Sequence, residues 1–147
     1  MSYLFSYCSN LKILPEINNW DTRKVKKMNN MFQGCSSLIK IPDISVWNTE
    51  KVENISFIFS YCSSLNILPP ISNWNLKNIK YAENAFEFCE NLIGLPDLSE
   101  WETKNMNNIL NNYYSQSSGL TSFNLINTST SEQNKESEKT DDTDKEF

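Results

Sequence analysis

The sequence predicts an α/β fold: a solenoid of about five 27-residue coils, each a helix followed by a strand, with the strands forming a parallel sheet. Three observations predict it. The chain repeats itself at one fixed period. Each copy contains apolar residues at the spacing of an amphipathic helix. Each helical pattern is followed by a short apolar run that stops at a proline.

The repeat is exact in its key residues. The stretches LPEINNW, IPDISVW, LPPISNW and LPDLSEW begin at Leu14, Ile41, Leu68 and Leu95. Every tryptophan and every cysteine of the chain follows the same 27-residue step, and so do four phenylalanines. These residues are Trp20, Trp47, Trp74 and Trp101; Cys8, Cys35, Cys62 and Cys89; and Phe5, Phe32, Phe59 and Phe86. A fixed period of this length indicates stacked supersecondary units.

The second unit illustrates the predicted elements. After Trp20, the segment DTRKVKKMNNMFQGC places its apolar residues on one helical stripe, and Gly34 lies where such a helix would end. The following residues 38–41 are interpreted as a short strand, which Pro42 ends because it lacks an N–H donor. One such unit cannot bury its own apolar face. We therefore expect equivalent units to stack with like residues over like.

The chain divides into two parts. Residues 1–126 are interpreted as the repeat solenoid, with four clear repeats and a degraded C-terminal one. Residues 127–147 contain 3 lysines against 7 acidic residues and no core residue before the terminal Phe147, which predicts a disordered acidic tail.

Composition argues against several classes of partner and location. Residues 1–126 carry 10 Lys+Arg and 11 Asp+Glu, so we expect no nucleic-acid partner. No apolar run approaches the ~20 residues that span a bilayer, and the start lacks a signal-peptide pattern. As it stands the chain is expected to be intracellular, unless it is a fragment of something longer. The latter is a serious alternative, because MSYLFSYC begins inside a repeat.

The cysteines and tryptophans are expected to be packing residues. The chain has no histidine, and its cysteines are not clustered as in zinc sites, so no metal or cofactor is predicted. One cysteine per unit on an apolar stripe favours reduced, buried thiols, with a disulfide between adjacent coils as the alternative. The tryptophans are interpreted as a packing ladder, with a half-exposed aromatic binding surface as the alternative. No catalytic motif is present, so we expect no enzyme activity.

The core of each unit, MFQGCSSL in the second copy, resembles the BspA-type leucine-rich repeats of bacterial, protist and Mycoplasma surface proteins. The resemblance covers about residues 1–126. It implies a leucine-rich-repeat-like solenoid, surface display, and binding to host or matrix proteins.

The predicted function is a non-catalytic protein–protein interaction module, of which a surface adhesin is one form. The alternative is a structural fragment of a longer surface repeat array with no activity of its own. The candidate interaction surface consists of the variable positions of the predicted strands. They are Lys12, Ile39, Asn66 and Ile93, then Ile13, Lys40, Ile67 and Gly94. The identity of the protein partner and the oligomeric state are not determined by the sequence.

Overall fold

The fold of residues 1–95, the part of the chain that the structure describes, was obtained as a computed structural model. Within these residues the regular secondary structure is one 3-10 helix, Ile71–Asn73. Four isolated parallel β-bridges replace continuous strands: Ile13–Lys40, Lys40–Ile67, Lys27–Asn54 and Asn54–Tyr81. The predicted helix–strand solenoid with a parallel sheet is therefore wrong, and a leucine-rich-repeat architecture is not supported.

The predicted helix fails because left-handed residues interrupt it. Asn30 has φ 58° and Gly34 has φ 72°, values that an α-helix does not accommodate. The N–H groups of both residues donate to the next unit, to Ser56 O at 2.9 Å and Ser60 O at 2.8 Å. The same two positions are left-handed in the other units that the structure describes. They are occupied by Tyr3, Phe57 and Asn84, and by Tyr7, Tyr61 and Phe88.

The predicted strand fails because buried side chains recur every third residue. Leu38, Ile41 and Ile44 are all buried, whereas a half-buried strand would bury every second residue. With turns at this spacing, the backbone of one unit lies beside the backbone of the next unit for only one or two residues at a time. Ile39 N–H donates to Lys12 O at 3.3 Å, and no ladder extends from this pair within residues 1–95.

Equivalent residues of successive 27-residue units nevertheless lie against each other, as the sequence predicts. The rings of Phe5, Phe32, Phe59 and Phe86 stack with centroids 5.5–5.6 Å apart. The indoles of Trp20, Trp47 and Trp74 stack at 6.3 Å and within 8° of parallel. The tryptophans therefore form a packing ladder, and Trp47 and Trp74 are buried. Trp101, the degraded fifth copy and the 127–147 tail lie outside the described residues.

The indoles also connect units through hydrogen bonds. Trp47 Nε1–H donates to Ile17 O at 2.9 Å, and Trp74 Nε1–H donates to Ile44 O at 2.9 Å. A buried donor that reaches a carbonyl of the preceding unit satisfies both polar groups where water cannot. Trp47 and Trp74 therefore each fix the position of one unit on the unit before it.

Candidate interaction surface

All eight variable positions named from the sequence are exposed. The four isoleucines stand out, with exposed fractions of 65% for Ile13, 46% for Ile39, 64% for Ile67 and 71% for Ile93. Lys12, Lys40, Asn66 and Gly94 are also exposed. These eight residues form what is called the isoleucine row. Their predicted role in binding remains a prediction, because exposure alone does not establish it.

The isoleucine row is held in place by anchors on both sides. In the second unit, exposed Ile39 and Lys40 lie between buried Leu38 and buried Ile41. The third unit repeats this order with Leu65 and Leu68 as its buried anchors. The buried residues on each side therefore keep the two exposed residues of these units at the surface.

Backbone contacts fix the register of the row. Parallel bridges pair Ile13 with Lys40 and Lys40 with Ile67. Asn66 N–H donates to Ile39 O at 3.1 Å, and Ile93 N–H donates to Asn66 O at 3.0 Å. In the first three units isoleucine thereby alternates with lysine or asparagine both along the chain and between units, and in the fourth unit Gly94 follows Ile93.

This arrangement can make apolar contacts and hydrogen bonds, but it holds no reacting group. The lysines are separated by isoleucines, and no carboxylate or thiol belongs to the row. The row therefore consists of exposed aliphatic side chains beside separate polar groups.

A second exposed surface is one that sequence reasoning missed. Seven of the nine lysine and arginine residues within 1–95 come from corresponding segments of three successive units. They are Arg23, Lys24, Lys26, Lys27, Lys51, Lys77 and Lys80, and together they are called the basic face. The nearly balanced charge of residues 1–126 as a whole gave no sign of this surface. Aligning residues 23–27, 50–54 and 77–81, which begin three positions after successive tryptophans, would have revealed it.

Contacts between units bring part of the basic face together. Glu53 N–H donates to Lys26 O at 2.7 Å, and Lys80 N–H donates to Glu53 O at 2.8 Å. The Lys80 ammonium also forms a salt bridge with Glu53 at 2.8 Å. This hydrogen bond and the charge of Lys80, with smaller contributions from Lys26 and Lys27, lower the pKa of Glu53.

At the edge of the basic face, Arg23 and Asp21 form an exposed two-point contact. Arg23 Nε and Nη2 donate to the two carboxylate oxygens of Asp21, each at 2.8 Å. The side-chain hydrogen bond and the Arg23 backbone N–H lower the pKa of Asp21 to about 2. Asp21 is therefore ionised at neutral pH and partly offsets the charge of Arg23.

The thiols form a third row, and it is buried except at its first member. Cys35, Cys62 and Cys89 are buried free thiols, whereas Cys8 is exposed, so the prediction that all four are buried is wrong for Cys8. Each buried thiol donates to a phenylalanine carbonyl of the preceding unit. Desolvation raises the pKa of Cys35 to about 11 and of Cys89 to about 12. Such thiols are poor nucleophiles at neutral pH.

Two further observations bear on the kind of site. Among residues 1–95, no three His, Cys, Asp or Glu side chains are grouped so that they could hold a metal ion. In the same part of the chain, no helix has the length and apolarity needed to span a membrane.

Residues 1–132 match the family described as "Mycoplasma protein of unknown function, DUF285". The chain belongs to this family. The match covers the whole of the repeat region, residues 1–126, and the first six residues after it. The match does not confirm the resemblance to BspA-type leucine-rich repeats. No curated protein and no solved structure matches the chain.

Proposed function

We propose that this chain is a non-catalytic protein-binding module and that the isoleucine row is its contact surface. The observation that carries the proposal is that each of four successive units exposes one isoleucine at one of two adjacent positions. The exposed fractions of these side chains are 46–71%. Covering apolar side chains of this kind is favourable by about 25 cal/mol per Å². A protein partner is the ligand that can cover a row of this extent.

The neighbouring polar residues support recognition of a defined partner. Lys12, Lys40 and Asn66 place hydrogen-bond donors between the isoleucines. A partner must match both the apolar and the polar positions, which gives selectivity in addition to affinity. Display at a cell surface, as the resemblance to BspA-type repeats implies, belongs to this proposal and would make a host or matrix protein the partner.

The test compares the full chain with two matched triple variants. Ile13→Ser, Ile39→Ser and Ile67→Ser together remove the apolar part of the row. The control is Val46→Ser with Tyr3→Ser and Leu4→Ser, which removes three exposed apolar side chains elsewhere. Each protein is immobilised and incubated with solubilised host-cell surface and matrix proteins, and bound proteins are identified by mass spectrometry and remeasured as purified pairs.

We expect at least one purified protein to bind the wild type and the control, and to bind the row variant about tenfold more weakly or worse. Circular dichroism must show both variants folded. Equal binding by all three proteins would overturn the assignment of the row. Absence of any purified binder would favour the alternative, a structural segment without binding activity of its own.

A further inference from the structure

Charge in residues 1–95 is segregated between two regions. The basic face holds seven cations, with Asp21, Glu50 and Glu53 among them, which leaves it at net +4. The remaining described residues hold two lysines and five carboxylates, a net of −3. Composition suggests a nearly neutral surface, whereas stacking of the units concentrates like charges on one side. Concentrated charge attracts an oppositely charged partner.

The basic face contains a depression that suits anionic groups. Lys26, Lys51, Glu53, Asn78 and Lys80 line an open depression of about 300 Å³. Asn78 Nδ2–H donates to Glu50 O at 2.7 Å, which holds the rim between two units. Within residues 1–95, neither Lys26 nor Lys51 forms a salt bridge. Both ammonium groups are exposed and available to carboxylates.

The pattern of charges favours an acidic polypeptide over other polyanions. Glu50 and Glu53 interrupt the cations, and a continuous phosphate backbone or an anionic lipid surface would be repelled at those points. A peptide can place its carboxylates at the lysines and uncharged residues at the glutamates. Tyr81, at 53% exposure, follows Lys80 directly, whereas single-stranded nucleic acids are usually held by several aromatic side chains.

From this charge distribution we propose that the basic face is a second docking surface, separate from the isoleucine row, and that it binds an acidic segment of a protein partner in extended form. The carboxylates of the segment contact Lys26 and Lys51 across the depression. The segment continues past Lys24 and Lys27 on one side and Lys77 on the other. Contact of this kind steers association and is weakened by salt.

The test uses the full chain and a fluorescein-labelled twelve-residue peptide of alternating Glu and Ser, with a Gln and Ser peptide as the uncharged probe. Fluorescence anisotropy measures binding at 20 mM and 300 mM salt. The variant is Lys26→Gln with Lys51→Gln. The control is Lys12→Gln with Lys40→Gln, which removes the same charge from the isoleucine row. Anionic lipid vesicles and single-stranded DNA serve as competitors.

We expect the Glu peptide alone to bind, with affinity falling at least tenfold at the higher salt. The basic-face variant should bind about fivefold more weakly than the control variant. Equal losses in the two variants would mean that binding follows net charge and would overturn the proposal. Failure of the Glu peptide to bind, or tighter binding of vesicles or DNA through Lys26 and Lys51, would also overturn it. The isoleucine row is tested separately, so either proposal can fail alone.

Discussion

The Cys62 thiol donates a hydrogen bond to the carbonyl oxygen of Phe32, 30 residues earlier in the chain, at 3.1 Å. Cys35 and Phe5, and Cys89 and Phe59, form the same pair at 3.0 and 3.1 Å. Each thiol therefore packs in its own unit while it satisfies a carbonyl of the unit before. Cys8 is the first member of the row and is exposed.

The burial of this row predicts how the thiols react. Under native conditions at neutral pH, Cys8 should be alkylated within minutes, and Cys35 and Cys62 should react only after denaturation. The physical reason is that the buried thiols are both covered and held in the unreactive neutral form. Mass spectrometry of iodoacetamide-treated protein measures the labelled positions. Fast native labelling of Cys35 and Cys62 would contradict the core assignment.

The raised thiol pKa values predict alkaline destabilisation. Burial raises the pKa of Cys35 to about 11 and of Cys89 to about 12, while an unfolded thiol has a pKa of about 8.5. Folding therefore favours the protonated form. Its contribution is complete below about pH 8.5 and declines as pH rises toward 11, by up to ~1.4 kcal/mol per pH unit for each thiol.

Urea unfolding at pH 7 to 11 measures this dependence. The control is Cys35→Ala with Cys89→Ala, which removes two of the titrating groups and should flatten the decline relative to the wild type. The comparison is needed because tyrosine and lysine side chains titrate in the same range. Parallel pH dependences in the two proteins would contradict the role of the thiols.

Gly34 provides a test of the left-handed positions. Its φ of 72° is unfavourable for residues with a Cβ, and a Cβ there would meet Tyr7 Cδ1 at 2.6 Å. Gly34→Ala should lower the free energy of unfolding by about 1–2 kcal/mol. Gly94→Ala is the matched control, since nothing lies within 4 Å of its Cβ position, and it should change stability by less than ~0.5 kcal/mol. Equal effects in thermal unfolding would contradict the assigned backbone conformation.

The stack of Phe5, Phe32, Phe59 and Phe86 predicts that a substitution inside the stack costs more stability than one at its end. Phe59 is buried between Phe32 and Phe86, whereas Phe5 is half-buried and stacks on Phe32 from one side. Phe59→Ala should cost about 3–5 kcal/mol, and Phe5→Ala should cost clearly less because it leaves a smaller cavity. Urea unfolding followed by circular dichroism and tryptophan fluorescence measures both. Equal losses would argue against stacking of successive units.

The candidate interaction surface could be predicted as exposed because variable polar residues occupy its positions in different copies. Lys12 becomes Ile39 and then Asn66, a change that a packed core does not tolerate. The basic face could not be predicted in the same way. Its cations are separated by up to 57 positions, from Arg23 to Lys80, and become neighbours only when three units stack.

The sequence alone determined the 27-residue period, the stacking of like residues and most of the core, because these depend on which positions remain apolar in every copy. The tertiary structure decided the backbone conformation. A stripe of apolar residues three apart fits a helix nearly as well as a series of turns, so the spacing alone does not distinguish them. The left-handed residues at positions such as Asn30 and Gly34 send alternate N–H groups to the neighbouring unit, and those bonds replace the ones that a helix would form within itself.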